Sequence, residues 1–460
     1  MSATESKKRL ASFLLKHVAL LMVLIGALLV SVSLGPYTNW DSEVEFAAAS
    51  SVAQSGFPYA TPGNLINQPP IAFYINGLFL SVFGTSYETG VAAVTLFGVG
   101  CVFLVYQIGK TVYEDRVGLV AAGLFALTPW HVVLSRSFLI DVQCLFFSLL
   151  SLLIGIWAIR KTSLNLTLVA GIVFGIALLT KLFAVFTLIP LALLFAHYVS
   201  GKLRHSLSQI LLFVLPSFLM HYSWYELISR LGFFSVFTHT DFLSGSQGPA
   251  PSLFFLLRFF VGNPGLVLLL AAGVSAIIAL WMKDFLGESA FFDIVWIATV
   301  LGTAGVNMFL VLNLGLWVPY VDPVKYDFQL LPPLCWLVSS ISPRALSLLS
   351  HNSVAMVMKR RRLLLALALV GLVLLAGTFL LNFVSLLTLL EQDFLLFSVE
   401  GDIGFSFLRL TPFFEQNLLV PFQSLGFMLI VAALIWVNKN GLSETIRLFE
   451  KAKKRTQGLY

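Results

Sequence analysis

Apolar stretches of about 18 to 25 residues, each free of the alternation that marks a barrel strand, recur about twelve times along this chain. Each is long enough to cross a hydrocarbon core of about 30 Å as a helix. Lipid offers no hydrogen bonds, so a spanning segment must satisfy its own backbone, and helices do so within one segment. The composition points the same way. With 58% hydrophobic and 11% charged residues, the chain has less than half the roughly 25% charge of a soluble domain and too little polar surface to face water. It reads as an all-α polytopic membrane protein, with residues 1–460 forming a single transmembrane domain. Collagen-like, disordered and disulfide-scaffold folds are excluded.

The expected spans lie at 12–34, 87–109, 117–135, 139–159, 164–180, 182–200, 206–225, 264–282, 290–312, 329–342, 363–389 and 419–437. The run near 329–342 is expected to be short and broken by Pro332-Pro333. An even number of spans returns both termini to one side, and the basic residues agree. Of 28 Lys and Arg, 22 fall in the tails and alternate connections, which identifies that side as cytoplasmic. The N-tail is then 1–11 and the basic C-tail 439–460. The six exceptions, Arg136, Lys181, Arg230, Arg258, Lys325 and Arg409, share the opposite face with 14 of the 22 acidic residues. Long outer loops are expected at 35–86, 226–263 and 390–418. The net charge of +6 thus reflects membrane topology, and no nucleic-acid partner is implied. Cys101, Cys144 and Cys335 sit inside apolar runs and read as packing residues.

Polar chemistry gathers on the outer face. The first outer loop carries Asp41, Glu43 and Glu45 within Trp40-Asp41-Ser42-Glu43-Val44-Glu45. If helical, Asp41 and Glu45 share one face above an alanine-rich side to bury; Asp41 is equally the residue type of an N-cap. Further on, Asn67-Gln68-Pro69-Pro70 stiffens a turn and starts a short helix. Ser135-Arg136 to Asp141 forms a hairpin whose charges pair with each other or serve a substrate. Lys181 either snorkels or binds an anion, and Lys325-Tyr326 precedes the span with the two prolines. One acidic pair with scattered cations and aromatics on a single membrane face suits a hydroxyl nucleophile and a lipid-linked phosphate leaving group.

Taken in order, Trp40-Asp41-Ser42-Glu43, Asn67-Gln68-Pro69-Pro70, Tyr113-Glu114-Asp115-Arg116, Ser135-Arg136 to Asp141, Leu179-Thr180-Lys181, Phe237-Thr238-His239-Thr240-Asp241 and Asn263-Pro264-Gly265 resemble the polyprenyl-phosphate-dependent GT-C glycosyltransferases. That group comprises the protein O-mannosyltransferases and aminoarabinose transferases. The resemblance implies a GT-C-like bundle of about 12 helices with interfacial helices in the first outer loop. It also implies inverting transfer of a sugar from a dolichyl- or undecaprenyl-type phosphate to a protein, lipid or glycan acceptor on the outer face. Asp41 takes the place of the catalytic base, with Glu43 as the alternative if the alignment slips by two, and Asp141 would hold the acceptor or the loop. Gln68 stands where relatives place a lysine that meets the donor phosphate. Arg136, Lys181, Arg258 and Lys325, the last beside Tyr326, are then the outer-face cations left for that role, with Asn67 and Gln68 as uncharged donors. Asn67 also replaces a metal-binding Glu of some relatives, which leaves His239 a weak ligand for a divalent metal.

The energy of such a reaction resides in the phosphate leaving group, and the chain has no Gly-rich phosphate loop or dinucleotide fingerprint. The rival reading is a secondary transporter or lipid flippase using Asp41, Asp141 and Lys181. It fits less well, because transport sites lie near the bilayer midplane and these charges cluster at one edge. Short loops incline the expected location to a prokaryotic plasma membrane.

Overall fold

The computed structural model describes residues 3–33, 40–66, 68–198, 203–231, 288–314, 328–350 and 425–434 apart from 427, together with the single positions 36 and 38. Nearly all of them are helical. The expected spans 264–282 and 363–389 lie outside the described residues, and 419–437 is described only in part.

Helix α1 (Ala3–Ser33) leads to α2 (Trp40–Ser55), a two-stranded ribbon (β1 Tyr59–Thr61, β2 Asn64–Leu65) and α3 (Ile71–Phe83). The ribbon is antiparallel, with Tyr59 opposite Leu65 and Thr61 opposite Asn64, and it turns through Gly63 at φ +81°. Helices α4 (Tyr87–Val112), α5 (Asp115–Leu127), α6 (Pro129–Ser135), α7 (Asp141–Lys161) and α8 (Leu164–Leu178) follow. A 3-10 turn at Leu182–Thr187 runs into α9 (Leu188–Tyr198), then come α10 (Leu203–Arg230), α11 (Glu288–Leu314) and α12 (Leu331–Ser350). Among the described residues, Tyr87–Val112, Asp141–Lys161 and Ser206–Arg230 are long and apolar enough to cross a membrane.

The ends of these helices follow from local chemistry. The Ser86 hydroxyl accepts the Thr89 N–H at 3.1 Å, Glu88 sits in the first turn of α4 and Lys110 in its last, so both ends complement the helix dipole. Ser163 caps α8 in the same way through the Leu166 N–H. Two expected spans need correction at their prolines. The run 117–135 is split at Thr128-Pro129 into α5 and α6, because Pro129 cannot continue α5 but suits the first position of α6. The run near 329–342 is not broken by Pro332 and Pro333. They lie in the first turn of α12, where their missing N–H groups have no intrahelical partner to lose, and the helix continues to Ser350.

Glycines let the helices pack with backbones nearly touching. A Cβ on Gly118 would stand 2.5 Å from the Tyr106 carbonyl oxygen and 2.7 Å from the Lys110 nitrogen, which sets the α4–α5 crossing. Gly171 of α8 meets the Phe213 backbone of α10, and the Ser217 hydroxyl adds a 3.0 Å bond to the Gly171 carbonyl. Close approach of this kind is what drives helix association in lipid, where apolar burial gives no preference for a neighbouring helix over acyl chains. At the end where α4 gives way to α5, buried Asp293 of α11 accepts hydrogen bonds from the Tyr113 hydroxyl at 2.6 Å and the Ser340 hydroxyl at 2.7 Å, while the Trp336 indole N–H donates to the Val105 carbonyl at 2.9 Å. These bonds tie α11 and α12 to α4 and its connection to α5. The three cysteines are free thiols and buried.

The α4–α5 contact gives a test. Gly118→Val places branched carbon against backbone that cannot yield, and should lower stability by about 1–3 kcal/mol, read as thermal unfolding of the detergent-solubilised protein. An unchanged transition would show that this crossing is not close-packed.

Candidate active site

Asp141 is the first residue of α7, and Lys181 lies in the turn between α8 and the 3-10 turn. The Lys181 ammonium donates to both Asp141 oxygens at 2.8 Å, with side chains only 3% and 4% exposed. Where the sequence allows a snorkelling Lys181, the side chain turns inward to Asp141. A carboxylate in the first turn of a helix also meets the positive end of its dipole. The Lys181 turn is anchored in turn, because its carbonyl accepts the Ala184 N–H at 3.1 Å and the Leu179 carbonyl accepts the Ile71 N–H at 3.0 Å. The latter bond brings the start of α3, with Gln68, Pro69 and Pro70 just before it, beside Lys181. Pro70 is the N-cap of α3 and cannot cap it with a side chain. Gln68 is half-buried.

The three carboxylates of α2 occupy different surroundings. Glu45 is 4% exposed, and its Oε2 accepts the main-chain N–H of Ile140 at 3.0 Å. Asp41, one turn earlier, is half-buried, and Glu43 is exposed. Ser42 is fully buried and accepts a 2.9 Å bond from the Tyr87 hydroxyl, which itself accepts the Phe138 N–H at 3.3 Å. Phe46 packs edge-on against Tyr87 and Phe138, both with ring centroids 5.3 Å away. The alanine-rich side is buried at Ala48 and Ala49. Helix α2 is therefore locked face-down on the 136–140 segment that leads into Asp141.

Arg136 is buried at 2% exposure in that segment, so the structure brings Asp41, Glu43, Gln68, Arg136, Asp141 and Lys181 to one end of the bundle. Asn67, His239, Arg258, Lys325 and Tyr326 lie outside the described residues. Among the described residues no group of three His, Cys, Asp or Glu side chains stands together to hold a metal. Three polar groups escaped sequence reasoning. Asn76 of α3 and Gln143 of α7, both fully buried, exchange hydrogen bonds in both directions; a lone amide in each apolar run was the available signal. Tyr87 had none, since an aromatic at a helix start is ordinary. Glu45 was noticed only as a companion of Asp41.

Comparison with known proteins adds to this geometry. Residues 67–224 match the family described as Dolichyl-phosphate-mannose-protein mannosyltransferase. The match holds the Asp141–Lys181 pair and stops short of α2. Over 182 residues the chain is 31% identical to YycA, a provisionally named mannosyltransferase of Bacillus subtilis, a stretch that covers 37% of this chain and 27% of that protein. The fold resembles that of ArnT from Cupriavidus metallidurans bound to undecaprenyl phosphate, with TM-score 0.53 and 16% identity over 95% of this chain and 77% of that one. The two chains share a fold. The Archaeoglobus fulgidus oligosaccharyltransferase in its apo form resembles it as well, with TM-score 0.50 and 15% identity, covering 81% of this chain and 56% of that chain. Together with the helices long and apolar enough to cross a membrane, this likeness of fold marks the chain as an integral membrane protein.

The ion pair can be tested directly. Lys181→Met strands a buried carboxylate and should cost about 3–5 kcal/mol, whereas Asp141→Leu with Lys181→Met removes both charges and should recover most of that loss. Thermal unfolding of the two variants decides, and equal destabilisation would contradict the pairing argument.

Proposed function

We propose that the chain is an integral membrane glycosyltransferase that moves a sugar from a polyprenyl-phosphate donor to a hydroxyl acceptor at the extracytoplasmic face, with inversion. Asp41 takes the acceptor proton as the acceptor oxygen attacks the anomeric carbon; the bond from that carbon to the phosphate oxygen breaks, and polyprenyl phosphate leaves. Both termini are cytoplasmic in this reading, and the membrane is a prokaryotic plasma membrane, in keeping with the Bacillus relative.

The observation that carries this reading is the docking of α2 on the Asp141–Lys181 end of the family-matching stretch. Three carboxylates are thereby brought to the place where that stretch keeps its buried charges, and two are left open enough to meet a substrate. Glu45 lies buried, whereas Asp41 is half-buried at the edge of that face, and the role of base is assigned to Asp41, with Glu43 as the exposed alternative. Lys181 is held by Asp141, which makes that pair an electrically neutral support. Phosphate recognition is assigned foremost to Arg136, with Gln68 and Asn67 as uncharged donors, Arg258, Lys325 and Tyr326 completing the set, and His239 reserved for any divalent metal. A lipid-borne donor reaches such a site sideways from the bilayer, while the acceptor arrives from the aqueous side.

The test is transfer of label from radiolabelled undecaprenyl-phosphate mannose, followed by other polyprenyl-phosphate sugars, in membranes that carry the protein. Asp41→Asn should lower the rate about 10²- to 10⁴-fold at unchanged expression, and Glu43→Gln should have a far smaller effect. Wild-type turnover by Asp41→Asn would remove Asp41 from the mechanism.

A further inference from the structure

We propose that Glu45 is a positioning residue for the reaction, the group that sets where Asp41 stands relative to Arg136 and Asp141. The inference rests on the reading of Asp41 as the base and goes beyond it by assigning a role to the one carboxylate of α2 that is turned away from water.

Ile140 is the N-cap residue of α7, and its side chain offers no hydrogen bond to the helix end. The carboxylate of Glu45 reaches across from α2 and accepts the N–H of Ile140 at 3.0 Å. A negative group there also lies at the positive end of α7, so the contact is favourable twice over, as a charge-assisted hydrogen bond and as a charge on a dipole. Burial at 4% exposure strengthens both effects by removing water as a competitor. Asp41 precedes Glu45 by one helical turn and Asp141 follows Ile140 directly, so the bond links the two acids through a few covalent steps on either side. The Ser42–Tyr87–Phe138 relay is a second point of attachment between the same two segments. Two points fix the rotation of α2 about its own axis as well as its distance. Rotation is what matters, because it decides whether Asp41 or exposed Glu43 faces the Arg136 segment.

A displacement of about 1 Å at a reacting group lowers rates by about 10²-fold. In the full-length protein in lipid nanodiscs, Glu45→Ala should therefore lower kcat about 10²-fold for undecaprenyl-phosphate mannose while donor KM stays within about threefold. Glu45→Gln keeps an oxygen acceptor and should restore most of the rate. Hydrogen exchange at the Ile140 amide supplies a readout independent of catalysis, and should rise about tenfold or more in Glu45→Ala and stay unchanged in Asp41→Asn. In the Asp41→Asn background, Glu45→Ala should cost nothing further, because a residue that acts through Asp41 has nothing left to place. Unchanged exchange at Ile140, full kcat in Glu45→Ala, or an equal proportional loss with and without Asp41 would each overturn the proposal. A wild-type protein inactive with every polyprenyl-phosphate sugar would instead overturn the reading of Asp41, and the positioning role with it, even if Ile140 exchange responded as expected.

Discussion

An ammonium and a carboxylate held 2.8 Å apart at 3% and 4% exposure fix one end of this bundle. Neither ion is tolerable there alone, since an isolated charge out of water costs several kcal/mol even after relaxation. Their pairing obliges the start of α7 and the turn after α8 to meet. Once they meet, the neighbouring backbone is placed as well: the Leu179 carbonyl receives the first N–H of α3, and Ile140 is presented to Glu45. The arrangement of the segments at this end thus follows from where two buried charges must be.

Around this point the structure uses polar ties at each end of a body held together by close backbone packing. In lipid, apolar side chains gain little by leaving acyl chains for one another, so association relies on backbone approach at glycines such as Gly118 and Gly171 and on hydrogen bonds between helices. At one end Asp293 gathers the hydroxyls of Tyr113 and Ser340, and towards the other Asn76 meets Gln143. The division of labour among the α2 carboxylates has the same origin. Alternate burial around a helix leaves Glu45 inside, Glu43 outside and Asp41 at the boundary.

Much of the fold was legible in the chain because lipid imposes a simple rule on length and polarity. The runs now seen as α1, α4, α7, α8, α10 and α11 announce themselves by uninterrupted apolar stretches, and Ser86 and Ser163 announce helix starts by their hydroxyls. Proline was harder to place, since the same residue ends α5 at Thr128-Pro129 and opens α12 at Pro332-Pro333; its effect depends on whether an N–H was needed there. Asp41, Glu43, Gln68, Arg136, Asp141 and Lys181, which the fold gathers at one end, were legible in the chain as residue types. The partners were not, because Asp141 and Lys181 are separated by 40 positions and Glu45 and Ile140 by 95, and no local pattern encodes a contact of that span.

The sequence by itself therefore determined that this is a helical membrane protein, since that follows from hydropathy and charge counted along the chain. Only the tertiary structure decided that Lys181 answers Asp141, that Glu45 is bound to a backbone amide, and that Asp41 remains at the boundary of water. The reason is physical: the partner of a buried charge is chosen by proximity in the folded bundle, and proximity there is set by helix packing and by the need to leave no ion unmatched away from water.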